Sequence, residues 1–217
     1  MWTYRGIEVH WLGHDTFVLK GPKTVILDPF KAKGNYKADI LLITHEHFDH
    51  LSEDDINRFT DSTSSIVAPR ICEGPLRAFP NTKTFVSPGS KVEVKGIGIE
   101  AIPAYNLNKF KEPGKVFHPK ADGRVGYIVT MGGVRFYQAG DSDATPELKA
   151  VDVDVAFIPV SGTYVMTAEE AADAAKAMKA KVIVPMHYDK IVGSKADAER
   201  FKKLVGSSRT VEILEQE

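Results

Sequence analysis

The stretch LLITHEHFDHLS, residues 41–52, constrains this chain more than any other. An apolar run, ADILLIT, ends in three histidines and an aspartate within six positions: His45, His47, Asp49 and His50. A run without polar alternation fits a strand buried on both faces. The imidazoles therefore emerge where a core strand stops, just before EDDINRF, which suits a short helix. Imidazole nitrogen and carboxylate oxygen are the donors that zinc and similar ions take. On a strand-to-helix turn, His45 and His47 can face one ion, and Asp49 and His50 a second. Two ions roughly 3.5–4 Å apart can hold a hydroxide between them and clamp both attacking and leaving oxygens. The plainer alternative is an exposed polar loop, but three of only seven histidines fall within these six positions.

The flanking sequence reads as short strands broken by turns. IEVHWLG alternates Ile7, Val9 and Trp11 with Glu8 and His10, a half-buried strand that leaves His10 on the surface. DTFVLKGPKTVILDPF gives two strands about a Gly-Pro turn. Further strands are expected in SSIVAP, KTFVSPG, SKVEVKGIGIEAIPA, VDVAFIPV and AKVIVPMH. In GRVGYIVTMGGVRFYQAGD, Gly132-Gly133 has the composition of a two-residue hairpin turn. Residues 167–180 are strongly helical: Thr167 and Glu170 fit a capping box, Met166 a staple, and Ala171, Ala174, Ala175 and Met178 an apolar stripe. A last helix, KADAERFKKLV, follows Ser194 as its cap. Many strands with a few helices indicate layered sheets flanked by helices, and 217 residues suit a single domain over 1–217.

Charge and cysteine use narrow the function classes. The net charge of −1 gives no electrostatic argument for nucleic acid or a membrane surface. No run approaches the roughly 20 apolar residues of a membrane span, and MWTYRGIEVHWLGHD lacks an apolar signal region. The expected address is cytoplasmic. The single cysteine, Cys72, rules out an intrachain disulfide and a cysteine-built zinc site, and is expected as a half-buried structural residue.

With these elements placed, THEHFDH resembles the signature of the metallo-β-lactamase-fold hydrolases. The likeness spans nearly the whole chain in the family's order: VILDPF supplies Asp28, VRFYQAGDSD supplies Asp141, and KVIVPMHYD supplies His187. WLGHDTFVL is similar to the branch that includes ascorbate-6-phosphate lactonase. The resemblance implies an α/β fold, a four-layer αββα sandwich of two mixed sheets flanked by helices. It implies two divalent metal ions, zinc first, with manganese or iron as alternatives. His45 and His47 would bind the first, Asp49, His50 and His187 the second, and Asp141 would bridge them. Asp28 would orient a ligand histidine or its loop. Taken singly, Asp28 and Asp141 also suit plain turns, and His187 a satisfied core position.

The chain departs from the family's pattern at one ligand. A further histidine for the first metal is usual in a loop before the bridging aspartate, where this chain has Asn106. The loop's one histidine, His118, lies twelve positions later. Three arrangements are open: His118 folds back and ligates; Asn106 and a water complete the shell; or His118 sits above the metals as proton donor or substrate contact. Lys109, Lys111, Lys115 and Lys120 in this long loop could attract an anionic substrate or be plain surface charges. His14 is expected near the metals or as a structural hairpin residue. Thr163 and Tyr164, after a buried strand, could shape a pocket.

The expected activity is hydrolysis of an ester, lactone, amide or phosphodiester of a small substrate by metal-bound hydroxide. Asp49 would orient the hydroxide, and His118, a water or a tyrosine would protonate the leaving group. Two other classes fit the same ligand set: a non-enzymatic metal-binding or sensing scaffold, and a di-iron redox protein served by a separate partner. Oligomeric state is not legible.

Overall fold

Alternation of apolar side chains along short strands builds two sheets whose inner faces meet. The computed structural model describes residues 1–217. The first sheet holds seven strands in chain order: β1 (Trp2–Tyr4), β2 (Ile7–Trp11), β3 (Phe17–Lys20), β4 (Thr24–Leu27), β5 (Ile40–Leu42), β6 (Ser65–Pro69) and β7 (Thr82–Val86). Pairing is antiparallel from β1 to β4 and parallel from β4 to β7. Helices α1 (Glu53–Phe59) and α2 (Glu73–Leu76) lie in the two connections after β5 and β6. The first of these follows the histidine loop, with Ser52 as its cap.

The second sheet is also mixed. It contains β8 (Lys91–Val94), β9 (Ile97–Pro103), β12 (Val125–Met131), β13 (Val134–Gln138), β14 (Asp152–Pro159), β15 (Lys179–Met186) and β16 (Thr210–Val211). Between β9 and β12 stands a small hairpin, β10 (Phe110–Glu112) with β11 (Lys115–Val116). The spatial order is β16-β15-β14-β13-β12-β9-β8, antiparallel from β8 to β13 and parallel from β13 to β16. Helices α3 (Pro146–Lys149), α4 (Ala168–Ala177) and α5 (Lys195–Val205) belong to this half. The expected layering of two mixed sheets and flanking helices is borne out.

The period of two decides which side chains meet. Phe17, Leu19, Val25, Leu27, Ile40 and Leu42 join the core shared with the second sheet. Their alternating neighbours Val18, Ile26 and Leu41 pack with Ile56 and Phe59 of α1 and Leu76 of α2. Phe17 stacks on Phe157 of β14, ring centroids 4.1 Å apart, and so joins the two sheets. Each such side chain contributes about 1.5–3 kcal/mol on burial. The stripe Ala171, Ala174, Ala175 and Met178 is buried. The expected capping box of α4 forms, and Ser194 caps α5 in a second box with Asp197. No helix is long and apolar enough to cross a membrane.

Four local expectations are corrected. Helix α4 stops at Ala177 rather than 180, because Ala180 is drawn into pairing with Val153 of β14 and sheet register overrides helix propensity. His10 is buried rather than exposed; its ring meets Glu217, Glu8 and Tyr36. Cys72 is fully buried, and its thiol is pushed far up by that burial. The segment 105–123 is not irregular throughout, since the hairpin β10–β11 doubles it back on itself.

The topology gathers one set of ends. The carboxyl ends of β4, β5, β13 and β15 lead into Asp28, His45, Asp141 and His187. Such ends of parallel strands are where open α/β sheets place their ligands.

Candidate metal centre

Asp141 faces two clusters of imidazoles, one with each oxygen. Its Oδ2 lies 3.4 Å from His118 Nε2 and 3.9 Å from His45 Nε2. His45 Nε2 is 3.1 Å from His47 Nδ1, which in turn is 3.4 Å from His118 Nε2. Its Oδ1 lies 3.3 Å from both His50 Nε2 and His187 Nε2. Asp49 Oδ2 is 3.8 Å from His50 Nε2 and 3.1 Å from His14 Nε2. Donor atoms of His45, His47, His118 and Asp141 lie within 4.8 Å of one another. So do those of His14, Asp49, His50 and His187, and those of Asp15, His50, Asp141 and His187.

Neighbouring residues aim these donors. Asp28 accepts from the Thr44 backbone at 2.8 Å and from the Thr44 hydroxyl at 2.7 Å, and lies 2.9 Å from His50 Nδ1. A proton on that Nδ1 turns the Nε2 lone pair toward Asp141. Ser161 Oγ is 2.9 Å from His187 Nδ1 and has the same consequence there. Asn106 Oδ1 lies 2.8 Å from His118 Nδ1, while its amide donates to the Tyr164 carbonyl at 2.8 Å. The Asn106 oxygen is thus turned to His118, and His118 Nε2 to the cluster. Arg124 binds Glu46, which sits between His45 and His47, and donates to the Phe117 carbonyl at 3.2 Å.

Backbone strain concentrates here. His14, Asp28, Tyr164 and His187 all have left-handed φ, at 53°, 41°, 66° and 63°. For residues other than glycine this costs on the order of 1–3 kcal/mol each, which the surrounding fold must offset. The His187 amide donates to the His14 carbonyl at 3.2 Å, so two of these positions brace each other. Gly140, at φ 59°, has no such freedom to vary: a Cβ there would meet Thr44 Cβ at 3.1 Å. A side chain at this position would crowd the Thr44 turn against which Asp141 is delivered, and would carry the left-handed φ as strain.

Burial and charge divide the histidines. Burial and the nearby His187 hold His14 down to about 4. Burial likewise holds His118 down to about 4 against the pull of Asp141. For His187, burial is outweighed by Asp141 and Asp15, which raise it to about 9. His50 is raised well above its ordinary value, since Asp141 and Asp28 outweigh its burial. Asp49, though buried, is held down to about 2 by the His14 hydrogen bond and the His50 charge.

One contributor was not legible in sequence. Asp15 is fully buried, neither carboxylate oxygen has a hydrogen-bond partner, and burial pushes it up to about 7. Its one sequence signal is its place beside His14. Ser161 supplies the contact from the 161–164 loop, whereas the Thr163 side chain makes none with the clusters and only its carbonyl is engaged, by Ser161 at 3.5 Å. Tyr164 lines a cavity of ≈ 430 Å³ that opens onto His47, Asp49, His118 and Asp141.

The donor set fits a metal. A tetrahedral ion with nitrogens at ~2.0–2.1 Å sets neighbouring donors about 3.3 Å apart, the spacing seen among His45, His47 and His118. His50 Nε2, His187 Nε2 and Asp141 Oδ1 are buried, converge, and have no hydrogen-bond partner. Polar atoms so placed cost about 1–3 kcal/mol each unless something pairs them, and a cation pairs all three.

The chain is similar to known proteins in sequence and fold. The family model described as "Beta-lactamase superfamily domain" matches residues 8–187. A "UPF0173 metal-dependent hydrolase" of Thermococcus onnurineus is 31% identical over 229 residues, covering 96% of each chain. The crystal structure of a Parabacteroides distasonis protein superposes with a TM-score of 0.81 at 31% identity, over 97% of this chain and 94% of that one. Igni18, a metallo hydrolase from Ignicoccus hospitalis, superposes at 0.78 with 23% identity, over 96% and 95%, a likeness of fold.

Proposed function

This chain belongs to the beta-lactamase superfamily, and from that premise we propose that residues 1–217 act as one metal-dependent hydrolase domain with two divalent ions, zinc first, in a His/Asp site. His45, His47 and His118 would hold the first ion, Asp49, His50 and His187 the second, and Asp141 would serve both. The observation that carries this reading is the division of Asp141, Oδ2 toward one cluster and Oδ1 toward the other.

At this site a divalent cation would supply a water of lowered pKa, toward about 7, and charge stabilisation for the oxygen under attack. The chain's own residues supply the rest. Asp28, Ser161 and Asn106 each engage the Nδ1 of a ligand histidine, which leaves Nε2 for the metal. Asp49, ionised at neutral pH and lining the cavity, can accept a hydrogen bond from the attacking water and turn it toward the substrate. The cavity admits a small molecule carrying an ester, lactone or phosphodiester bond, and His118 is spent on the first ion rather than on the leaving group.

Metal analysis with turnover assays tests this. Purified protein is expected to carry near two metals per chain and to hydrolyse p-nitrophenyl esters or bis(p-nitrophenyl) phosphate. Asp141→Ala is expected to lose both metal and activity. Two bound metals without turnover would identify a binding scaffold instead. An Asp141→Ala variant with both properties intact would refute the site.

A further inference from the structure

We infer that the substrate is an uncharged acyl compound, an ester or lactone, whose apolar acyl group lies in the cavity beside the metal centre. The inference rests on the hydrolase reading above and names its substrate class. Every polar residue lining the cavity belongs to the metal clusters: His47, Asp49, His118 and Asp141. The rest of the wall is Phe48, Phe117, Tyr164, Ile191 and Val192. No lysine or arginine lines it, so a substrate carboxylate or phosphate would meet no protein cation there.

Three of the four loop lysines are paired with carboxylates, and the fourth, Lys111, does not line this cavity. Lys109 pairs with Glu170 at 2.6 Å and Asp143 at 3.5 Å, Lys115 with Glu112 at 2.9 Å, and Lys120 with Glu147 at 2.7 Å. Arg124 is buried against Glu46 and Asp122. Lys190, next to Ile191, donates to the Lys31 carbonyl at 3.1 Å. Sites built for carboxylate or phosphate usually present a free arginine fork or lysine to it.

The apolar wall is exposed where exposure is costly. Phe48 is 67% exposed, Ile191 42% and Tyr164 41%, and all three border this one cavity. Large apolar side chains grouped at a cavity mark a binding surface. Tyr164 also keeps a left-handed backbone to stand edge-on against Phe117, centroids 4.7 Å apart. An aromatic residue held under strain beside the ligands points to a contact that glycine could not make. In the reaction, a bond forms between water oxygen and the acyl carbon. The ester C–O bond breaks, and the water's proton leaves on the alcohol.

The metal-loaded protein is assayed with p-nitrophenyl acetate, p-nitrophenyl hexanoate, the carboxylate-bearing mono-p-nitrophenyl glutarate, and bis(p-nitrophenyl) phosphate. We expect kcat/KM at least tenfold higher for hexanoate than acetate, because each added methylene in an apolar pocket is worth about tenfold or more. The glutarate should fall at least tenfold below hexanoate. Ile191→Ala should shrink the hexanoate-to-acetate ratio severalfold, and Ile191→Lys should raise the glutarate-to-hexanoate ratio. Equal rates on acetate and hexanoate, or faster turnover of the glutarate or the phosphodiester, would overturn the substrate class and leave the hydrolase intact. No turnover of any of the four by protein holding its metals would overturn the hydrolase reading itself.

Discussion

The side-chain oxygen of Asn106 accepts twice from His118, from the backbone N–H at 2.9 Å and from ring Nδ1–H at 2.8 Å. The residue that stands where a histidine ligand is usual thus holds a histidine from twelve positions downstream. Asn106→Ala should weaken binding of one of the two metals by about 10–100-fold, the usual effect of removing a ligand's outer partner. Competition with a chromophoric chelator would measure it. Asn106→Asp, which can still accept both bonds, should recover most of the loss. Equal affinity in the alanine variant would show that His118 needs no support.

Asp28 satisfies three partners at once: the Thr44 amide, the Thr44 hydroxyl and the His50 ring. Asp28→Ala would strand these buried groups, each costing about 1–3 kcal/mol. The expected result is a lower denaturation midpoint in urea even with chelator present, together with loss of one metal. A variant that lost metal without losing stability would show that Asp28 only tunes the ligand.

The protein's own charges make metal binding pH-dependent. His187 is raised to about 9 and is therefore protonated at pH 7.5; Asp141 and Asp28 raise His50 in the same direction. Ligation needs them neutral. Metal uptake by the chelator-stripped protein should therefore release the His187 proton at pH 7.5, and apparent affinity should climb as pH rises toward about 9. Calorimetry in two buffers of different ionisation enthalpy reads the proton count. Asp15 helps to raise His187, so Asp15→Asn should lower the His187 pKa in the stripped protein, followed by ring NMR.

Arg124 ties the histidine loop to the wall of the cavity, through Glu46 and through the Phe117 carbonyl. Lysine cannot reproduce the planar fork. Arg124→Lys should destabilise the protein by about 1–3 kcal/mol and raise KM more than it lowers kcat, because Phe117 loses its anchor. An unchanged KM beside a large fall in kcat would place Arg124 on the metal side instead.

Legibility followed how local each signal was. Strands and helices were readable because apolar period, glycine turns and capping residues act within a few positions. The strand-end residues His45, His47, Asp49, His50, Asp141 and His187 were readable as candidates for the same reason: ligand-type side chains sit where buried strands stop. Helix α4 was overrun by three residues, since pairing of Ala180 with Val153 is a contact across the sheet. His10 reads as surface from its phase alone, yet Glu217, from the other end of the chain, lies against it.

By itself the sequence determined two alternating sheets and a crowd of imidazoles at strand ends, because hydrophobic period and donor chemistry belong to each segment alone. The stacking of the sheets decided the rest. It brought both oxygens of Asp141 between two clusters, folded His118 back over the β10–β11 hairpin onto Asn106, buried Asp15 beside His50, and set the half-buried Ser161 against His187. It also lined the cavity with apolar side chains and left three of the four loop lysines in ion pairs. Distances between segments far apart in the chain are set by packing, and no local pattern carries them.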